Sequence, residues 1–304
     1  IDPHTLNIEP GNQIIKSKNI IISTGGSPKT IPPLPIDGDT VVTYMQAIIQ
    51  TEVPKAVVIV GGGAIGVEFA SIYRSYGSDV TLVEMLPRIL PNEDEEISKH
   101  LERGLKKRGI KILTNSKVLG LTKSESYAKI QVEKENGAVE LDCDRVLVAI
   151  GIQGNVEGIG LENIGVQPKS GFIPVNENLE TNAEGVYAIG DVTGKLLLAH
   201  VASAQGIYVV EQIAGIENPV INYTNMPKAT YSSPQVASFG LTEEQARDAG
   251  KDVTVGKIPL IASGKALALA ETEGLVKLVT DSNSGELLGA HLIGSEVTEL
   301  LSGV

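Results

Sequence analysis

One stretch of the sequence, from Val57 to Glu84, constrains the fold more than any other. It reads VVIVGGGAIGVEFASIYRSYGSDVTLVE. Four β-branched residues precede a glycine cluster, apolar residues follow at helical spacing, and a second short apolar run ends on an acid. This order is typical of a buried parallel strand, a tight turn, a helix and a second strand. The stretch therefore predicts an α/β fold built on a parallel sheet.

The glycines of this stretch have the G-x-G-x-x-G spacing of a dinucleotide-binding turn. Gly61 allows the tight turn, Gly63 allows the backbone to approach a pyrophosphate, and Gly66 allows close helix packing. The helix then begins at Ala64 and Ile65, where its N-terminus offers an anion site. A plain strand-to-helix connection would also explain a glycine-rich turn. The flanking strands favour the dinucleotide, so we predict that all five residues contact the cofactor.

The acid at the end of the second strand bears on the choice of nucleotide. Glu84 lies where a carboxylate can bind a ribose 2′-hydroxyl. The same charge would repel a 2′-phosphate, which favours NAD over NADP. Arg88, a few residues further on, weakens this preference. We also expect Gly151, which ends the later apolar strand VLVAI, at the cofactor site.

Composition limits the remaining classes of function. A chain of 304 residues has room for two or more cores. Its net charge of −12, the absence of tryptophan and an aromatic content of 4% argue against nucleic-acid binding. The single cysteine, Cys143, and four scattered histidines give no metal-ligand spacing, so we predict no metal site. We read no signal peptide in the polar start and expect a cytoplasmic protein.

The segment after Glu84 predicts an amphipathic helix with an acidic start. Asn92 is placed to cap it, and residues 93–96 put four acids in the first turn. We interpret this acidic run as a solvated helix start. Ile97, Leu101 and Leu105 fall on one face, which we expect to be buried.

Alternating and apolar runs predict the remaining elements. From Ala128 to Asp142 the alternation indicates a hairpin that turns at Asn136-Gly137. After Met226 the pattern changes to three alternating strands with a helix near Thr242 to Ala249, which indicates a separate α+β domain. Other expected elements are strands at Ile20–Ser23, Phe172–Val175 and Val186–Ile189 and a helix at Val201–Ala214.

A second informative stretch is TNAEGVYAIGDV, from Thr181 to Val192. Its short strand ends at Gly190 and Asp191, which leaves an acid at the carboxyl edge of a sheet. Ligands of open α/β folds bind at such edges. The next helix, which starts near His200, would point its positive end toward whatever the acid holds. A capped strand end without a ligand is the alternative.

These motifs together resemble the FAD-dependent pyridine nucleotide-disulfide oxidoreductases. IISTGG, from Ile21 to Gly26, is similar to the segment that crosses between domains of that family. GGGAIGVEFA is similar to its NAD fingerprint, and T-x4-VYAIGD is similar to its second FAD fingerprint. LAHVASAQG and GKALALAETEGLVK are most similar to the members that oxidise dihydrolipoamide.

The resemblance implies both FAD and NAD as cofactors and gives several residues a role. Asp191, beside Gly190, would bind the ribitol chain of FAD. The amides at Leu198, Ala199 and His200 would face the flavin pyrimidine edge.

It also places two further features of the chain. Thr24 and Gly25 would mark the point where the NAD domain is inserted into the FAD domain. Glu68 would lie near the nicotinamide, beside the flavin. A solvent-facing helix glutamate is the alternative for Glu68.

The implied reaction is the oxidation of protein-bound dihydrolipoamide, with electrons passing through a disulfide and FAD to NAD. The implied partners are the lipoyl domain of a 2-oxo-acid dehydrogenase complex and a second copy of the chain in a homodimer. A mercuric reductase or a soluble transhydrogenase type of flavoprotein is the alternative within the family.

The resemblance implies a domain order along the chain. We expect a FAD-domain remnant at 1–37, an NAD-binding domain at 38–158, a return of the FAD domain at 159–225 and an interface domain at 226–304. The predicted fold class is α/β, with a doubly wound parallel-sheet NAD domain, a β-hairpin appendage, a partial FAD domain and a truncated α+β interface domain.

Three family elements have no match in the sequence. These are the initial G-x-G-x-x-G for the ADP half of FAD, the C-x4-C redox disulfide and the H-x-H-P-T segment with the catalytic histidine. His291 belongs to a strand pattern and is not that base. We therefore expect an internal segment that retains NAD binding and is inactive by itself.

Overall fold

The structure is a computed structural model that describes residues 4–124 and 127–304. Its strands are β1 Thr5–Ile8, β2 Gln13–Lys16, β3 Ile20–Ile22, β4 Gly26–Pro28, β5 Val41–Val42, β6 Ala56–Val60, β7 Asp79–Val83, β8 Lys111–Leu113, β9 Lys117–Lys123, β10 Ala128–Lys134, β11 Gly137–Cys143, β12 Arg145–Val148, β13 Ile152–Gly154, β14 Val186–Ala188, β15 Lys228–Thr230, β16 Gln235–Gly240, β17 Val253–Pro259, β18 Leu275–Asp281 and β19 Leu287–Gly294. Its α-helices are α1 Tyr44–Ala47, α2 Ala64–Ser75, α3 Glu95–Lys107, α4 Ala199–Ile213, α5 Glu243–Asp248, α6 Gly264–Leu269 and α7 Val297–Leu300.

The chain forms two compact units. The first comprises Ile1–Ser27 and Ile152–Tyr223, and the second comprises Pro28–Gly151 and Thr224–Val304. The domain bounds given above stay a prediction. Among the described residues, no helix is both long and apolar enough to cross a lipid bilayer.

A five-stranded parallel sheet lies at the centre of the second unit, with strand order β5-β12-β6-β7-β8. Successive residues of a strand face opposite sides, and β6 shows this directly. Val57 and Ile59 pack against the helices, whereas Val58 and Val60 pack against the antiparallel sheet β11-β10-β9. The α/β fold with a parallel sheet and an antiparallel hairpin is confirmed.

The hairpin turns one residue earlier than we predicted. Lys134 pairs with Gly137, which leaves Glu135 and Asn136 as the two turn residues instead of Asn136-Gly137. Gly137 is therefore the first residue of β11, with a φ of +112° that favours glycine. Cys143 ends this strand, and burial raises the pKa of its thiol to about 12, helped by the nearby Asp144 and Asp142.

The start of α3 also differs from the prediction. Asp94 is the N-cap, because its side chain accepts a hydrogen bond from the Glu96 amide, and Asn92 lies before the cap. Glu93 and Asp94 are buried, so the interpretation of the acids as a solvated helix start was wrong. The predicted inner face of this helix is fully buried; it consists of Ile97, Leu101 and Leu105.

The C-terminal part of the second unit is a five-stranded antiparallel sheet, with strand order β15-β16-β19-β18-β17. It has two strands more than expected. The run KATYSSPQVASFG breaks after Thr230 into β15 and β16, and Val253–Pro259 adds an edge strand. Val236 and Ile293 of this sheet belong to the same hydrophobic core as α2 and α3. The two five-stranded sheets of the unit therefore share one packed interior.

In the first unit, β3 and β14 pair in parallel, and the buried residues Ile22, Val186 and Ala188 contribute to the core of the unit.

The expected strand Phe172–Val175 is absent from the described elements. Phe172 forms an isolated bridge to Lys169, and the Ile173 amide donates to the Val192 carbonyl. Burial of Ile173 explains the apolar run. In the part of the chain that the structure describes, the run does not pair with a neighbouring strand, so it is not a strand itself.

Candidate functional site

The glycines of the turn between β6 and α2 have two different roles: some allow close packing of the backbone, and one leaves open space. A Cβ on Gly61 would lie 2.3 Å from the Ala149 carbonyl oxygen, and a Cβ on Gly66 would lie 1.9 Å from the Gly61 oxygen. Neither position therefore tolerates a side chain in this fold. A Cβ on Gly63 would meet nothing within 4 Å. Gly63 thus leaves open space beside the turn, as a site approached by a pyrophosphate requires.

The N-terminus of α2 faces this space. Gly63 is the N-cap, Ala64 is the first helical residue, and no side chain of the described residues caps the helix. Ala64 is exposed and Ile65 is half-buried. The positive end of the helix dipole and the first backbone amides fit an anionic group.

Glu84 lies directly against the glycine turn. Its Oε2 accepts a hydrogen bond of 2.5 Å from the Gly62 amide, and its Oε1 accepts one of 2.7 Å from the Leu86 amide. Each carboxylate oxygen keeps a second lone pair for another donor. The carboxylate is thus fixed beside the turn and able to accept ribose hydroxyls. The residues present fit a dinucleotide.

Arg88 and Gly151 are two further residues near the turn. Arg88 donates to the Pro91 carbonyl at 3.0 Å and lies 3.9 Å from a carboxylate oxygen of Glu244. Both contacts are made by Nη2 and hold the guanidinium beside Pro91 and Glu244. Gly151 has a φ of +116° and accepts a hydrogen bond from the Lys29 amide.

Glu68, on the second turn of α2, connects the helix to the C-terminal sheet. Its Oε1 accepts a hydrogen bond of 2.7 Å from the Tyr231 amide. Burial raises the pKa of the Glu68 carboxyl, and the Tyr231 amide partly opposes this effect. The side chain is half-buried, unlike a helix glutamate that simply faces solvent.

In the first unit, Asn155 holds Thr24 and Gly25 in place with its backbone and its side chain. Thr24 Oγ1 donates to the Asn155 carbonyl, and Asn155 Nδ2 donates to the Thr24 carbonyl. The Asn155 amide donates to Gly25, and the Ser27 hydroxyl donates to Asn155 Oδ1 at 2.6 Å. We did not predict this residue from the sequence. No local pattern indicates it, because its partner Thr24 is 131 positions away in the sequence.

Asp191 and the start of α4 form the second predicted constellation. Gly190, with a φ of +71°, donates its amide to the buried Gln205 at 2.6 Å. Asp191 follows in a short 3-10 helix and is half-buried; a Cβ on Gly26 would lie 3.3 Å from its Cβ. No local sequence pattern indicates that Gln205 anchors this turn.

The N-terminus of α4 is accessible in the same unit. The helix starts at Ala199 with Leu198 as its N-cap, and no side chain of the described residues caps it. Ala199 and His200 are exposed. A helix start of this kind offers partial positive charge to an electron-rich group.

The parallel sheet, the glycine turn and the fixed acid define a dinucleotide-binding protein of the α/β class. Comparison with known sequences specifies the class further. Residues 3–206 match the pyridine nucleotide-disulphide oxidoreductase family, and residues 226–304 match the dimerisation domain of that family. The chain belongs to the pyridine nucleotide-disulphide oxidoreductases, as the sequence resemblance indicated.

Relatives of known name are similar over almost the whole chain. A dihydrolipoyl dehydrogenase of Bacillus subtilis is 45% identical over 99% of this chain and 65% of its own length. A dihydrolipoyl dehydrogenase of Mycobacterium leprae is 46% identical over 99% of this chain and 66% of its own length. The chain thus spans slightly less than two thirds of these relatives.

Solved structures share the fold. The HOCl-induced flavoprotein disulfide reductase RclA from Escherichia coli, as a Cu(II) complex, is 30% identical with a TM-score of 0.89, over 99% of this chain and 69% of that chain. LpdA from Mycobacterium tuberculosis is 25% identical with a TM-score of 0.90, over 98% and 65% of the two chains.

Proposed function

We propose that the chain is part of a dihydrolipoyl dehydrogenase, an enzyme that oxidises a dihydrolipoyl group and uses NAD as the electron acceptor. With one cysteine, the residues of this chain supply NAD binding and part of flavin binding but not the dithiol exchange. The observation that carries the NAD assignment is the Glu84 carboxylate, fixed by Gly62 and Leu86 beside the glycine turn. The relatives named dihydrolipoyl dehydrogenase, at 45% and 46% identity, support the substrate.

In this proposal the second unit binds NAD. Gly61 and Gly66 set the shape of the turn, and Gly63, Ala64 and Ile65 receive the pyrophosphate at the N-terminus of α2. Glu84 accepts the ribose hydroxyls, and Gly151 completes the site. Glu68 lies toward the nicotinamide, supported by its partial burial and raised pKa.

The first unit contributes to the binding of FAD. Asp191 binds the ribitol chain, with Gly190 in the same turn. The amides at Leu198, Ala199 and His200 stabilise electron density at the flavin edge. Thr24 and Gly25, held by Asn155, border this site. When bound, the two cofactors supply hydride transfer, whereas the residues of this chain bind and orient them.

The partners follow from the same proposal. The dimerisation domain matched by residues 226–304 supports a homodimer. The lipoyl domain of a 2-oxo-acid dehydrogenase complex would deliver the dihydrolipoyl group. A cytoplasmic location stays a prediction.

Glu84→Gln tests the nucleotide assignment, because it removes the charge with little change of shape. The amide keeps one acceptor oxygen, so either the Gly62 or the Leu86 amide loses its partner, and urea unfolding should be measured beside binding. We expect NADH to bind roughly 10- to 150-fold more weakly, the loss of about 1.5–3 kcal/mol for hydrogen bonds to a charged group. NADPH binding should be unchanged or stronger. The measurement is titration of NADH and NADPH fluorescence.

The control is Glu133→Gln, which makes the same change of charge at an exposed position of β10. It should bind both nucleotides as the unmodified protein does. A preference of the unmodified protein for NADPH would contradict the role given to Glu84.

A further inference from the structure

Lys277, in the middle of β18, is a buried cation with several carboxylate partners. Only 3% of the residue is exposed, and its Nζ lies 3.0 and 2.9 Å from the two carboxylate oxygens of Asp94. A Glu243 oxygen lies 2.9 Å from the same Nζ. Burial alone would lower the pKa of Lys277, but Asp94 and Glu243 raise it. The lysine is therefore charged and compensated inside the second unit.

Lys277 belongs to a polar row that crosses the whole antiparallel sheet. It is paired in register with Lys257 on β17 and His291 on β19. His291 is paired with Ser238, and Ser238 with Lys228. Residues directly opposite each other on neighbouring strands share one face. One polar residue from each of the five strands thus lies on the same side.

The start of α3 lies along this row. A Glu93 oxygen is 3.5 Å from Lys228, Asp94 bonds Lys277, and a Glu96 oxygen is 2.6 Å from Lys257. Lys228 and Lys257 are partly exposed at the two ends, whereas the Lys277–Asp94 pair is buried in between. The buried pair is therefore the contact of this row whose loss would leave an uncompensated charge inside the protein.

The same helix start is bonded to the glycine turn through Leu90. The Leu90 amide donates to the Gly62 carbonyl at 2.8 Å. The Leu90 carbonyl accepts from the Glu93 amide and from the Ser98 hydroxyl of α3, both at 3.0 Å. The loop that runs from Glu84 to α3 is thus attached to the turn at one end and to the buried pair at the other.

We infer that Lys277 is a positioning residue for the NAD site. It holds Asp94 at the start of α3, and through Leu90 it fixes the carbonyl of Gly62, the residue whose own amide orients the Glu84 carboxylate. This inference rests on the proposed function. Because an uncompensated buried charge is costly, loss of Lys277 moves Asp94 and with it the loop beside the turn.

The test compares NADH dissociation constants of four variants, measured at a temperature where urea unfolding shows each to be folded. Lys277→Met should weaken NADH binding roughly 3- to 30-fold, the usual range for coupling through a packed network. Lys277→Arg keeps the charge and should restore most of the affinity. Lys257→Met, the same change at the exposed neighbour in the row, should bind NADH within about twofold of the unmodified protein.

Asp94→Asn provides a second approach if Lys277→Met does not fold. Asparagine is as good an N-cap as aspartate, so this variant keeps the cap bond to the Glu96 amide and weakens only the pairing with Lys277. It should weaken NADH binding as Lys277→Met does.

A lowered urea midpoint with an unchanged NADH dissociation constant in Lys277→Met, or in Asp94→Asn where Lys277→Met does not fold, would overturn the inference and leave Lys277 as a purely structural residue. Failure of the unmodified protein to bind NADH would instead overturn the proposed NAD site and the inference that depends on it.

Discussion

Gly63→Ala separates nucleotide binding from folding at the glycine turn. The added methyl group meets nothing within 4 Å, and the φ of −73° suits alanine. Alanine is a poorer N-cap than glycine, so we expect a loss of stability below about 1 kcal/mol. The folded protein should therefore be nearly unchanged.

The effect on binding should be much larger. The methyl group occupies the space through which the backbone approaches the pyrophosphate. A displaced phosphate loses at least one hydrogen bond from a backbone amide, and such bonds to charged groups contribute about 1.5–3 kcal/mol. NADH should then bind roughly 10- to 150-fold more weakly.

The assay combines NADH fluorescence titration with urea unfolding, and two other glycines provide comparisons. Gly66→Ala would place its Cβ 1.9 Å from the Gly61 oxygen, and we expect it to destabilise the fold by about 1–3 kcal/mol or more. Gly120→Ala, on β9, also enters open space and should change neither property. NADH binding by Gly63→Ala equal to that of the unmodified protein would refute the assignment of the open space to the pyrophosphate.

Three further predictions concern single groups. Cys143, with its pKa raised to about 12 by burial, should react slowly with a thiol reagent at pH 8 and quickly after unfolding in urea; fast reaction of the folded protein would contradict this. Burial would raise the pKa of Asp37, but Lys123 and the backbone amides of Val41 and Asp39 lower it to about 2. Its stabilisation is thus present above the unfolded pKa near 4 and lost as the pH falls toward 2. Asp37→Asn should lower the free energy of unfolding, measured in urea, by less than about 1 kcal/mol at pH 6, because the pair is partly exposed. At pH 2 it should have no effect. Thr242→Ala removes the capping box of α5 and should cost about 1 kcal/mol in urea unfolding, whereas Thr242→Ser should not.

The glycine turn could be predicted because its structure is encoded locally. Gly61 and Gly66 have no room for a Cβ because of backbone atoms of the turn and of the neighbouring strand end. Glycine at such positions is a requirement of the backbone itself, so it is visible in the sequence as spacing. Glu84 can also be recognised locally, because it directly follows a short apolar strand.

Contacts between distant segments could not be predicted in this way. Asn155 bonds Thr24 across 131 positions of the chain, and no periodic pattern connects the two. At Phe172–Val175 the sequence predicts a strand that the structure lacks, because an apolar run can be buried without pairing to another strand. The contact of Asn155 and the missing strand both depend on which segments the fold brings together.

The acidic run at the start of α3 shows most clearly what a local pattern omits. Acids in a first helical turn are favoured by the helix dipole whether or not they are solvated. A solvated and a buried acidic helix start therefore have the same sequence pattern. Only the residue that pairs with the acids distinguishes them. That partner, Lys277, is 183 positions from Asp94 and lies within an alternating strand, where a single lysine is ordinarily expected to face solvent. Its burial follows from its register in the sheet, opposite His291, which puts it on the face covered by α3.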